Sequence, residues 1–147
     1  PERALQPLDT TVGYVAGLVA ARVAEHGLRL DVRVDPGASG EFDAFQMHQA
    51  LLNLVSNALD HTPEGGIVTL GAEETPDAVM LYVENSGAPV EHPEDAFEPF
   101  FTTKPRGTGL GLSISRKIAE AHGGALELTH NAPGQVRFTL TIPRQQE

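Results

Sequence analysis

The sequence has no cysteine in its 147 residues. That excludes a disulfide framework and thiolate chemistry, and it fits a cytoplasmic setting. No apolar run approaches the ~20 residues of a membrane-spanning helix, and no signal-peptide pattern is visible, so no membrane contact is expected of this chain. Positive charge is also scarce. Ten Lys and Arg stand against twenty Asp and Glu, for a formal net charge of −10, which argues against nucleic-acid binding. Residues 34–103 contain no Lys or Arg, yet hold thirteen Asp or Glu. Four of the ten basic residues then fall between Lys104 and Lys117, the two lysines of the chain.

Residues 97–124 read FEPFFTTKPRGTGLGLSISRKIAEAHGG. Phe97, Phe100 and Phe101 form an aromatic cluster. Lys104 and Arg106 follow in a polar linker. Gly107, Gly109 and Gly111 then alternate into a stretch where Leu110, Ile114, Ile118 and Ala121 make a helical apolar stripe, ended by Gly123 and Gly124. A glycine loop at a helix N-terminus is a ready anion site, because free N–H groups point outward and missing Cβ atoms let a phosphate approach. It is equally a flexible hinge before an ordinary helix, and the glycines alone leave both readings open. They form neither the dinucleotide fingerprint nor a Walker loop. Lys104 and Arg106 sit in the loop itself, whereas Arg116 and Lys117 read as a solvated helix face.

Length and a hydrophobic content of 40% predict one globular domain over residues 1–147. The opening Pro1-Glu2-Arg3 reads as a cut inside a longer chain. Residues 8–26 are predicted as a helix capped by Asp9 or Thr10, with Val12, Val15, Val19 and Val23 inward. Residues 28–34 alternate as a strand with Leu28, Leu30, Val32 and Val34 on one face. A turn at Pro36 and a short extended piece around Glu41 and Phe42 precede a helix over residues 43–61. A hairpin is expected at 67–74 and 78–84, and a long loop at 88–106. Strands are expected at 125–129 and 136–142, flanking a turn at 131–134. Three helices against a sheet of about five strands make a two-layer α/β sandwich of the α+β kind.

The second helix has an unusual polar side. Gln46, Gln49, Asn53, Asn57 and Asp60 share one face, and no charged residue occurs between Asp43 and Asp60. A solvated face normally carries charged, strong helix formers. A stripe of neutral amides suggests a face that looks into a site, and Asn53 and Asn57, one turn apart, are suited to a hard cation through their carbonyl oxygens. The alternative is a polar surface stripe or amides bonded to backbone.

Four segments together resemble a known family. QALLNLVSNALDHT (49–62), VENSGAPV (83–90), FEPFFTTK (97–104) and GTGLGLS (107–113) occur in the order of the N, G1, F and G2 boxes of sensor histidine kinase catalytic domains. That family belongs to the GHKL superfamily with gyrase, Hsp90 and MutL. The resemblance covers nearly the whole chain and implies the Bergerat fold, a mixed sheet of about five strands with three helices on one face. It implies ATP and Mg2+ as ligand and cofactor. Asn57 would bind magnesium with Asn53 beside it. Asp60, His61, Asn85, Gly87 and Thr103 would line the ATP site. Gly107, Thr108, Gly109, Leu110 and Gly111 would donate backbone N–H groups to phosphates, and Lys104 and Arg106 would offset their charge. The Phe cluster would anchor the lid or dock a partner domain. Asn53 stands where ATP-hydrolysing relatives carry a catalytic Glu. An amide is no general base, so poor hydrolysis and transfer to a side chain are expected, with Asn53, Lys104 and Arg106 as the catalytic set.

Several positions depart from the family pattern. Asp60 replaces a usual Lys or Arg. Asn85 replaces the aspartate that accepts from the adenine amino group, weakening that bond by ~1 kcal/mol, and an amide there can also donate to guanine O6. Pro89 replaces a glycine, and Val136 a threonine. None of the six histidines is followed by an acidic residue, so the phosphoacceptor histidine is expected on a separate dimerisation domain of the same protein. The implied partners are that domain and a cognate response regulator, in a homodimeric full-length protein. A degenerate nucleotide-binding or docking module and an anti-sigma-factor serine kinase are the alternatives.

Overall fold

Strand alternation sets the sheet. The computed structural model describes residues 1–98 and 111–144. In β5 (Ala78–Asn85) Val79, Leu81 and Val83 join the core, so Met80, Tyr82 and Glu84 turn to the opposite face. β7 (Gln135–Pro143) does the same with Val136, Phe138, Leu140 and Ile142, and β4 (Ile67–Glu74) with Val68, Leu70 and Ala72. With β2 (Arg29–Val34) and β6 (Ala125–Ala132) they form a five-stranded sheet in the order β2-β4-β5-β7-β6. β2 and β4 run parallel, and the other neighbours are antiparallel. The β4–β5 hairpin turns at Thr75, whose N–H donates to Ala78 O at 2.8 Å and whose Oγ1 accepts from Ala78 N–H at 3.0 Å.

Three helices among the described residues cover one face: α1 (Leu8–Glu25), α2 (Ala44–His61) and α3 (Gly111–Ala121). The core is the apolar side of α1 and α2 against the inward residues of β4, β5 and β7. The other sheet face is polar. There Arg137 Nε donates to Glu84 Oε1 at 3.0 Å, and its guanidinium lies 3.9 Å above the Tyr82 ring. The expected two-layer arrangement is therefore present.

Four expectations change. A second sheet pairs β1 (Ala4–Pro7) with β3 (Ser39–Phe42) antiparallel, where only the piece around Glu41 and Phe42 had a signal. Because Pro7 is held extended opposite Ser39, α1 begins at Leu8 with Pro7 as its N-cap and no side-chain cap. Leu8 N–H donates instead to Ala38 O at 2.9 Å, and Asp9 falls in the first turn, where its charge complements the helix dipole. β2 is an edge strand, so its predicted inward face is only partly covered: Val32 is 45% exposed. β6 runs past residue 129 to Ala132 through a register shift between Leu128 and His130, an irregularity that breaks the alternation.

The start of α2 is held from three sides. Asp43 is the N-cap, and its carboxylate accepts from Gln46 N–H at 3.0 Å and from Glu2 N–H at 2.8 Å. Its own N–H donates to His122 Nε2 at 3.1 Å. His122 is buried just past α3 and donates from Nδ1 to Ile118 O at 2.8 Å. One histidine thus ties the exit of α3 to the entry of α2.

The N–H bonds from Gln46 and Glu2 hold the Asp43 carboxyl below its ordinary value of 3.8. A carboxylate with a lowered folded pKa stabilises the fold above the ordinary value and loses that contribution as pH falls through the lowered one. Asp43→Ala should cost about 1 kcal/mol near neutral pH, the usual loss for a helix N-cap. In thermal unfolding the gap between variant and parent should close as pH falls below 3.8. A gap independent of pH would contradict the assignment.

Candidate functional site

The amide stripe of α2 meets the start of α3. Asn53 and Asn57 are both half-buried, one turn apart. Asn53 Nδ2 is buried without a hydrogen-bond partner among the described residues. Gly111, the first residue of α3, stands against it: a Cβ there would lie 3.8 Å from Asn53 Cβ. Inside the helix pair, buried Ser115 Oγ donates to Ala50 O at 3.0 Å. This bond helps set the N-terminal end of α3, positive by its dipole, beside Asn53.

The end of β5 supplies the third part. Asn85 is 4% exposed, and its Oδ1 accepts from Gly87 N–H at 2.9 Å. Ser86 is paired twice with Ile67: its Oγ accepts from Ile67 N–H at 2.9 Å and its N–H donates to Ile67 O at 3.1 Å. Gly87 has no room for a side chain, because a Cβ would collide with the backbone carbonyl oxygen of His61 at the end of α2. His61 Nδ1 in turn donates to Asn57 O at 2.8 Å. Gly134 N–H, from the turn between β6 and β7, reaches Gly87 O at 3.1 Å. His61, Asn85 and Gly87 therefore border one region, with Asn57 one turn before His61 on the same helix, as Asn53 and Gly111 border its neighbour. Asp60 lies exposed in the last turn of α2.

Residues 42–146 match the family described as histidine kinase-, DNA gyrase B-, and HSP90-like ATPase. The chain belongs to this ATPase family. It is 34% identical to the sensor protein FixL of Bradyrhizobium diazoefficiens over 99% of this chain and 30% of that one. It is 37% identical to the sensor histidine kinase ZraS of Escherichia coli over 95% of this chain and 32% of that one. The chain spans under a third of the length of these curated relatives. The nucleotide-free catalytic domain of histidine kinase ThkA superposes with a TM-score of 0.88 at 36% identity, covering 98% of this chain and 97% of that one. The fold is thus the Bergerat sandwich of histidine kinase catalytic domains. Full-length ShkA matches over 99% of this chain and 32% of that one, with a TM-score of 0.85 at 28% identity.

The residues expected to surround the phosphates, Thr103, Lys104, Arg106, Gly107, Thr108, Gly109 and Leu110, lie outside the described residues, as do Phe100 and Phe101. Phe97 packs edge-on against Phe138, with ring centroids 5.8 Å apart. Arg116 is exposed, and its guanidinium reaches 5.6 Å from the Phe97 ring centroid. Two side chains had no sequence signal for the site. Ser115 sits among residues read as helix interior. Asn131, read as a turn residue, clasps the segment after Gly87, accepting from Val90 N–H at 2.7 Å and donating to Val90 O at 3.2 Å.

Gly87→Ala should push the turn off the end of α2. We expect a loss of more than about 2 kcal/mol in thermal unfolding, at the upper end of single substitutions. A variant as stable as the parent would show that the contact with His61 is not a constraint.

Proposed function

We propose that this chain binds Mg-ATP and donates the γ-phosphoryl group to a histidine on a separate dimerisation domain, within two-component signalling. The observation that carries the reading is the neutral pair Asn53 and Asn57 one turn apart on α2, with Asn53 against the N-terminal residue of α3. Hydrolysis needs a base to activate water, and Asn53 offers none. Bound triphosphate would persist until an acceptor side chain arrives. Phosphoryl transfer then rests on positioning and charge stabilisation.

The donor set fits a magnesium ion. Mg2+ keeps several waters and takes few protein oxygens, and two amide carbonyls from one helix face meet that need. The unpartnered Asn53 Nδ2 means that this amide can turn over without breaking a bond at nitrogen. The ion would neutralise charge on the β- and γ-phosphates. Asn57 and Asn53 would hold it, Asn85 and Gly87 would face the base, and the backbone of 107–111 with Thr103, Lys104 and Arg106 would surround the phosphates. Asp60 and His61 would border the same site.

The relatives support the class of partner. ShkA has been solved with AMPPNP, and ThkA in complex with the response regulator protein TrrA. A response regulator is accordingly proposed as the downstream acceptor here, in a homodimeric protein. No helix among the described residues is long and apolar enough to cross a membrane, and a cytoplasmic position for this domain is part of the same proposal.

The test is transfer of labelled phosphate from ATP to a supplied dimerisation domain. Parent chain should label its histidine, and Asn57→Ala should lower the rate by at least about a hundredfold, as for loss of a group stabilising transition-state charge. Nucleotide binding without any labelling would favour a docking module over a kinase.

A further inference from the structure

Asn85 closes β5, and its side chain shares a face with its register partners Val68 and Val136. Both belong to the core, so the face is the one that the helices cover. An amide could in principle present either end to a ligand. Here the turn decides. Oδ1 accepts from Gly87 N–H. Turning the amide over would set Nδ2 against that N–H, donor against donor, and strand a buried backbone group. Nδ2 is the end left to face a ligand, and no acceptor among the described residues meets it.

We infer that Asn85 reads the six-position of a bound purine as a hydrogen-bond donor, so that a triphosphate with a 6-carbonyl base binds within about tenfold of ATP. The inference rests on reading position 85 as the base contact of the proposed site. Guanine and hypoxanthine place an accepting oxygen at that position. Adenine places an amino group there, and two donors facing each other gain nothing from the contact. A carboxylate at position 85 would behave differently. One oxygen would keep the Gly87 N–H bond, and the other would accept from the adenine amino group. The amide therefore changes which base is favoured while leaving the turn as it is.

The experiment is calorimetric titration of the full chain with magnesium and non-hydrolysable analogues of ATP and inosine triphosphate, for the parent and for Asn85→Asp. Inosine triphosphate is used because it lacks the 2-amino group of guanine, so its base differs from adenine only at the six-position and the adjoining N1, which carries a proton. The ratio of the two dissociation constants within one variant cancels any loss of folded protein. The parent should prefer ATP by less than about tenfold, and Asn85→Asp should move the ratio toward ATP by at least about tenfold, the effect of one charge-assisted bond. A parent preference for ATP above tenfold, or an unchanged ratio in the variant, overturns the inference while ATP binding still upholds the proposed function. No binding of either triphosphate by the parent overturns both.

Discussion

The site depends on a close backbone approach: Gly87 lies so near the His61 carbonyl that no side chain fits between them. That contact presses the end of β5 onto the end of α2. Without it, Asn85 at the end of the sheet and His61 at the end of α2 would have no reason to lie together. The bonds around it are individually small, ~1 kcal/mol each for ordinary hydrogen bonds. Their arrangement matters more than their sum. Asn85 Oδ1 holds Gly87 N–H, Gly134 N–H holds Gly87 O, and His61 Nδ1 holds Asn57 O. The first two fix the turn from its own strand and from the neighbouring hairpin, and the third lies within α2, at the helix end on which Gly87 rests.

An acidic chain that binds a polyanion must solve a charge problem locally. The net charge of −10 repels triphosphate at long range, although salt screens that field beyond ~8 Å at physiological ionic strength. Close to the site the chain uses neutral donors. Between Asp43 and Asp60 there is no charged side chain, and the helix face there is made of amides. The N-terminal end of α3 adds partial positive charge without a side chain. In the proposed function the same neutrality removes the general base, so the feature that admits the ligand would also protect it from water. Mg2+ and the two loop cations, Lys104 and Arg106, complete this balance in the proposed function.

Local patterns made much of the architecture readable. Val79, Leu81 and Val83 alternate and the stripe on α2 repeats at helical spacing, so β5 and α2 lie where their residues indicate. Readings failed where a distant partner decides the outcome. β1 is four residues without alternation, and it is a strand because Ser39–Phe42 lies beside it. Val32 looks inward by pattern, yet an edge strand leaves it exposed. The site divides the same way. Asn53 and Asn57 stand out by spacing and by the missing charge around them. The orientation of the Asn85 amide does not, because it follows from the Gly87 turn. The clasp of Asn131 on Val90 joins residues far apart in sequence and leaves no periodic trace.

In the proposed function α2, the start of α3 and the end of β5 together form a magnesium-dependent nucleotide site. Titrating the chain with a non-hydrolysable ATP analogue, with magnesium and then with a chelator, tests it most directly. The account predicts saturable binding that weakens by at least about tenfold when the ion is removed. Binding indifferent to magnesium, or none at millimolar analogue, would contradict it.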